Sequence, residues 1–333
     1  MGFLEEISKN CKTFFVVRTP HVLQPTLNES VAVFFCKGKS LKKWEVPFRF
    51  HLFIKSLKPD YILVHGFGSA HYLIFLKVLC WNSKIILQCN GFAPKPSGLK
   101  KVVYKIADFF IDGYLFTGMG NAALWYEDGA ISRSKVFEVM EGSTYFKIDS
   151  SIERKEKSYL WVANLYSMKD PLTVLRAFDA FLAFDADVTL TMIYKETDLF
   201  EEVSAIISSS ERLKKAINLQ GFVPHSDLEE VYNKHQFFIS ASHQEGSGYA
   251  LVESMACGCV PIVTNIPSHR YMTDDGYCGL LFDPRNDQEL LEQLICSLEI
   301  DYKNIQEKVR EQFETKLSFK AIATKVEEIF YTL

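Results

Sequence analysis

"SHQEGSGYALVESMACGCVP" runs from Ser242 to Pro261. An apolar run, "QFFIS", stands directly before it and reads as a strand. "YALVESMACG" has helical spacing: Leu251, Val252 and Met255 can share a core-facing side, and Gly258 is a stop signal. "ASHQEGSG" is then a strand-to-helix loop, with Glu245 before the glycines and Glu253 inside the helix. Glycines allow close backbone approach to a ligand. The first amides of a helix, at the positive end of its dipole, suit an anion such as phosphate. Beside a phosphate an acid is repelled, so Glu253 makes better sense reaching neutral hydroxyls, as acids do with a ribose diol. Tyr249 shares its helix face. Glu245 can take hydroxyls at the other end of the same ligand. The whole fits a sugar–diphosphate–nucleoside.

Outward from this loop, short apolar strands alternate with helix-length stretches. The first half has "TFFVV" (13–17), "VAVFF" (31–35), "YILVH" (61–65), "KIILQ" (84–88), "GYLF" (113–116) and "KVFEV" (135–139). The second continues with "YLWVA" (159–163), "VTLTMI" (188–193), "AINLQG" (216–221), "QFFIS", "VPIVT" (260–264) and "GLLF" (279–282). Near-continuous apolar strands between helices indicate parallel sheets covered on both faces. At 333 residues the chain is too long for one core. The expectation is α/β: two doubly wound, Rossmann-like domains over 1–150 and 151–310 with a cleft between them, and a C-terminal helix, 311–333, packing back on the first. The charged "SSIERKEKS" (150–158) reads as the linker, and the tail from Asp301 as helix throughout.

Composition narrows the class. The chain is 48% hydrophobic and 23% charged, as globular proteins are. There is no apolar run of about eighteen residues to span a bilayer. The start, "MGFLEEISKN", has acids and no apolar stretch and so does not read as a signal peptide. Its eight scattered cysteines read as reduced thiols, which places the protein in the cytoplasm. Net charge is −4 but uneven: residues 1–150 hold 19 Lys and Arg against 12 Asp and Glu, or +7, leaving −11 for the rest. A basic half suits nucleic acid, an anionic membrane or a phosphorylated substrate. Basic-aromatic segments, "KGKSLKKWEVPFRFHLFIKSLK" (37–58) and "PKPSGLKKVVYK" (94–105), point to the membrane at its inner face; a solvated helix face is the plainer alternative.

The second half resembles the family 4 glycosyltransferases, retaining enzymes of the GT-B fold, whose Glu-x7-Glu motif looks like Glu245 to Glu253. "YLWVANLYSMKDPLTVLRAF" (159–178), "LQGFVPHSDLEEVYNKHQFFISAS" (219–242) and "PIVTNIPSHRYMTDDGYCGLLFDP" (261–284) extend the likeness. The resemblance implies a hexosyltransferase moving sugar from a nucleotide-sugar, UDP- or GDP-linked, to a glycan or lipid-linked acceptor in surface polysaccharide biosynthesis. It implies neither metal nor cofactor, and no nucleic-acid partner. It gives Glu245 the transferred sugar's hydroxyls and Lys169 the diphosphate. Gly246, Ser247, Gly248 and Tyr249 would line sugar and phosphate, with helix-start amides from Ala250 and Leu251. Glu253 would hold the ribose, and Gly221, Phe222 and Val223 the base.

The sequence departs from the family's pattern in places. Asn164 replaces an Arg that could grip a diphosphate bidentately. The glycine-rich acceptor loop is missing, leaving Arg18 or His21 to do its work. Asn90 stands where the family often has a His, and His65 is the nearest alternative. His243, Asp274 and Asp275 read as supporting or solvent residues. "DAD" (185–187) precedes a strand, at the wrong end of the sheet for a metal site, and "GFGSAHY" (66–72) lacks the third glycine of a dinucleotide fingerprint. A nucleotide-sugar epimerase would want more acid/base groups than these. A decayed sugar-nucleotide binding protein would explain Asn164 but not the joint presence of Lys169, Glu245 and Glu253.

Overall fold

The computed structural model describes residues 2–19, 29–37, 45–67, 70–89 and 94–333. The chain divides into two units: residues up to Gly142 together with Phe319–Leu333, and Ser143–Ser318.

The first unit begins with helix α1 (Gly2–Ile7), parallel strands β1 (Thr13–Thr19) and β2 (Val31–Lys37), and α2 (Phe48–Ser56). Four parallel strands follow in spatial order of sequence: β3 (Tyr61–His65), β4 (Lys84–Gln88), β5 (Gly113–Phe116) and β6 (Val136–Glu138). Between them run α3 (Ala70–Leu79), α4 (Gly98–Ala107) and α5 (Met119–Tyr126). Successive parallel neighbours need crossovers of one hand in one direction, which stacks the intervening helices on one face. Ile85, Leu87, Tyr114 and Phe116 are fully buried beneath that layer. Phe67 packs edge-on to Trp125 at 4.5 Å.

Among the described residues the six strands expected as one sheet are two sheets, β1–β2 and β3–β6. Rings from two helices stand against the end residues of β3. Phe3 of α1 lies 6.2 Å from His65, and Phe330 stacks on Tyr61 at 4.4 Å. Phe330 belongs to the C-terminal helix Phe319–Thr332, which packs on α1.

The second unit runs β7 (Lys155–Val162), a 3-10 turn (Ser167–Lys169), α6 (Pro171–Phe181), β8 (Thr189–Ile193), α7 (Phe200–Ser209), α8 (Glu211–Ala216), β9 (Ile217–Gly221) and α9 (His225–Lys234). It continues with β10 (His235–Ser240), α10 (Tyr249–Ala256), β11 (Val260–Thr264), α11 (Pro267–Thr273), β12 (Leu280–Phe282), α12 (Asp287–Cys296) and α13 (Tyr302–Gln312). The six strands are parallel in the order β12-β11-β10-β7-β8-β9. This is the doubly wound arrangement, and its direction reverses between β7 and β10. Tyr159, Phe178, Phe181 and Phe237 form the aromatic centre of the core, with Tyr159 stacked on Phe237 at 4.9 Å.

The division falls between Gly142 and Ser143, not at 150/151, and the chain rejoins the first unit at Phe319, not at 311. The charged 150–158 segment is strand in its second half. Its charges turn outward or find partners: Lys157 pairs with Asp185 at 2.5 Å, and Arg154 donates to the carbonyls of His235 and Cys257. The tail is not one helix. A π-helical turn, Phe313–Leu317, follows α13, and Ser318 is extended (φ −66°, ψ 155°), which resets the chain before the last helix.

Candidate active site at the switch point

In an open α/β sheet, ligands bind beyond the carboxyl ends of the strands where the winding reverses. Here that place is made by two loops, from β7 to α6 and from β10 to α10. The sequence sets both locally. Asp170, in the left-handed region at φ 47°, caps α6: its carboxylate accepts from Thr173 N at 3.2 Å and Thr173 Oγ1 at 2.8 Å. Pro171 follows at the first helical position, where no N–H is needed. Gly248, also left-handed at φ 51°, turns the second loop into α10.

Two adjacent side-chain pairs join the loops. Lys169 Nζ forms an ion pair with Glu245 Oε1, which also accepts from Ser242 Oγ at 2.8 Å. One residue further on, His243 Nε2 lies 2.9 Å from Asp170 Oδ2. The main chain ties them as well, His243 N donating to Met168 O at 2.9 Å. Sequence reading singled out Lys169 and Glu245 but not that they meet, and it gave His243 only a supporting role. Asp170 went unread although Asp before Pro at a helix start is a readable cap signal.

Glu253 lies inside α10 and is 7% exposed. Its Oε1 is 2.7 Å from His225 Nε2, and its Oε2 accepts from Tyr232 OH at 3.1 Å. Burial, with the Glu253 charge second, raises the Tyr232 hydroxyl well above its ordinary pKa. His225 stacks on Phe146 at 5.0 Å. Neither His225 nor Tyr232 carried a sequence signal.

The helix-start amides differ from expectation. Leu251 N is consumed by Gly248 O at 2.9 Å, a tight first turn, while Ala250 N is among the amides of this loop and helix start without a described partner. Leu251 itself is buried core. Gly246 is buried, and Tyr249 is 51% exposed. Asn164 is half-buried, and its Oδ1 accepts from Glu196 N at 3.1 Å and Lys195 N at 3.4 Å, fixing the loop after β8. Gly221 ends β9 at φ 72° with open space where a side chain would sit. Phe222 beside it is 64% exposed, and Val223 is half-buried.

Three of the buried polar atoms that lack a partner among the described residues lie here: Ser247 Oγ, Ser268 Oγ and His269 Nε2. All belong to loops or helix starts at the carboxyl ends of β10 and β11. His269 Nδ1 faces two acceptors, Thr264 O at 3.0 Å and Thr264 Oγ1 at 3.1 Å, the latter's proton being given to Ser242 O. Nδ1 therefore carries the proton and Nε2 a free lone pair. Burial lowers the His269 pKa to about 4, against the smaller opposing pull of Glu245. A buried acceptor and two hydroxyls without partners beside a Lys–Glu pair suit a ligand rich in hydroxyls and anionic oxygen.

The other expected residues lie elsewhere. Arg18 is on β1, in register with Cys36 of β2, and His65 is the exposed last residue of β3. His21, Asn90 and residues 38–44 of the basic segment lie outside the described residues. Asp185 pairs with Lys157 in the turn before β8. Asp275 pairs with Arg270 at 2.7 Å and Asp274 with Lys316.

A family model described as "Glycosyl transferases group 1" matches residues 145–315. The chain is 30% identical over 275 residues to an N-acetylgalactosamine-N,N'-diacetylbacillosaminyl-diphospho-undecaprenol 4-alpha-N-acetylgalactosaminyltransferase of Campylobacter jejuni, covering 80% of this chain and 70% of that one. It is 29% identical over 232 residues to a GDP-mannose:cellobiosyl-diphosphopolyprenol alpha-mannosyltransferase of Xanthomonas oryzae, covering 67% of this chain and 60% of that one. A glycosyltransferase structure from Rickettsia africae superposes with a TM-score of 0.77 at 19% identity, covering 99% of this chain and 93% of that one.

Proposed function

The chain belongs to the glycosyl transferases group 1 family and has its GT-B fold, and from that premise we propose that it moves a hexose from a UDP- or GDP-sugar to a lipid-linked glycan, with retention of anomeric configuration. The observation that carries this reading is the Lys169–Glu245 pair at the switch point, set among buried polar atoms that lack partners.

In this reading Glu245 accepts hydroxyls of the sugar. Lys169 and Ala250 N meet the diphosphate, Glu253 takes the ribose diol, and the backbone of Gly221–Val223 meets the base. The anomeric C–O bond to the diphosphate breaks through an oxocarbenium-like state. The departing phosphate gains negative charge where Lys169 and the start of α10 stabilise it. A new C–O bond forms to an acceptor hydroxyl, whose proton passes to the leaving phosphate oxygen. With cationic groups already placed there, no metal ion is required. The names of the Campylobacter and Xanthomonas relatives give polyprenyl diphosphates as acceptors, which supports a lipid-linked acceptor here. No helix among the described residues is long and apolar enough to cross a membrane. We place the chain in the cytoplasm, meeting that acceptor at the membrane's inner face.

A thermal-shift panel of UDP-, GDP-, ADP- and dTDP-sugars, followed by hydrolysis and transfer assays with and without EDTA, tests this. One donor class should stabilise the protein and turn over, with chelator present. No stabilisation by any donor overturns the reading, and loss of turnover in EDTA with rescue by manganese overturns metal independence.

A further inference from the structure

Helices α3 and α4 present apolar side chains where a surface helix ordinarily presents charge. On α4 the buried positions are Tyr104 and Ala107, while Val102 and Ile106 point outward and Phe109 follows just past the helix end. At 3.6 residues per turn these three fall in one narrow arc opposite Tyr104. On α3, Leu73 and Leu76 are buried, Phe75 and Val78 are outside, and Trp81 continues the stripe. The two helices pack side by side, so the stripes are neighbours. Phe75, Val78, Trp81, Val102, Ile106 and Phe109 are between 49% and 86% exposed. Single exposed apolar residues are ordinary, but two rows of them on adjoining helices mark an interaction surface.

The charge around the stripes selects the partner. Residues 48–109 hold nine Lys and Arg and two Asp. Lys77 and Lys84 pair with Asp112, and Lys95 and Lys101 with Asp128. Lys55, Lys58 and Lys105 are exposed and have no carboxylate partner among the described residues. A second copy would set lysine against lysine, and a neutral apolar partner would leave the lysines without a counter-charge. An anionic lipid surface with an apolar interior answers both features.

We propose that the α3–α4 face of the first unit docks on an anionic lipid bilayer, with Trp81, Val102, Ile106 and Phe109 entering the interface and Lys55, Lys58 and Lys105 at the headgroups. This deepens the functional reading above and rests on its lipid-linked acceptor.

The test is flotation of the full chain with phosphatidylcholine–phosphatidylglycerol vesicles and with phosphatidylcholine alone. Binding should require the anionic lipid and fall with salt. Trp81→Ser with Phe109→Ser should weaken it about tenfold or more. Lys55→Glu with Lys105→Glu should weaken it by roughly a hundredfold. These side chains are exposed, so donor-induced thermal shifts should match wild type in both variants and confirm folding. Absence of anionic-vesicle binding at low salt overturns the proposal. So does binding that both variants leave unchanged, or a dimer that the apolar variant converts to monomer without any vesicle binding. A chain that floats but takes no nucleotide sugar sinks the functional reading and keeps this one; the reverse pattern does the opposite.

Discussion

His225 Nε2 lies 2.7 Å from Glu253 Oε1, and the two side chains differ greatly in exposure, 69% for the histidine and 9% for the acid. With Tyr232 OH on the other oxygen, each oxygen of Glu253 has one partner within the protein. A diol reaching this carboxylate has one partner it can displace easily, the exposed imidazole, and one it cannot, the buried phenol.

Replacing Glu253 therefore separates from replacing its cover. Glu253→Gln exchanges one acceptor oxygen for a donor and removes the charge. A hydrogen bond to a charged group is worth about 1.5–3 kcal/mol, so donor affinity should drop roughly 10- to 100-fold by calorimetry. His225→Ala should leave it within about threefold or tighten it, since only a competitor is lost. Equal affinity of Glu253→Gln and wild type would remove the ribose role.

Lys169 and Glu245 should behave as a unit in kinetics. Lys169→Met takes away a cation placed where charge develops, and kcat for transfer should fall about 10²- to 10³-fold with a smaller change in KM. Glu245→Gln breaks the same ion pair from the other side. The double variant should then be far less damaged than the product of the singles. Strictly multiplicative losses would mean that the pair is not shared by one step.

The second unit was legible because each of its devices is local. Apolar strands, a glycine turn and a helix start place Glu245 in the loop after β10 and Glu253 in the helix that follows, and Asp170-Pro171 gives the α6 cap. What pattern reading missed depends on strands meeting across the sheet. The β7–β10 adjacency brings Lys169 onto Glu245 and Asp170 onto His243, 76 and 73 residues apart, and no window of sequence shows that. Nor does any window show that Asn164 Oδ1 accepts from the amides of Lys195 and Glu196, main-chain groups without identity in sequence. In the first unit the strand runs are visible, but their partition into two sheets among the described residues is not, nor are the long-range contacts of Phe3 and Phe330 with the end residues of β3.

Gly248 carries the turn into α10, and its conformation makes a sharp test. An alanine there sits at φ 51°, which costs about 1–2 kcal/mol for an L side chain. Its Cβ would come within 3.0 Å of Met272 Cε, the flexible end of a side chain that can move aside. The cost is therefore mainly backbone. Gly248→Ala should lower Tm by about 2–8 °C and weaken donor binding through the shifted Ala250 amide. A Tm equal to wild type would mean that the loop relaxes out of the left-handed region.

The last prediction concerns acid. His269 is fully buried and its pKa falls from 6.5 to about 4. Between these values the unfolded chain binds a proton at this site that the folded chain does not. Stability must then rise with pH across the window and be lost as pH drops from 6.5 toward 4. The loss from this one group is of order 3 kcal/mol. His235, lowered mainly by burial, adds to the same trend. His269→Asn keeps a donor for Thr264 O and cannot titrate, so its urea-unfolding free energy should fall less between pH 6.5 and 4 than that of wild type. Parallel acid limbs for the two proteins would show that His269 is protonated in the folded state, and its Nε2 would then be a donor rather than the acceptor lone pair assigned to it here.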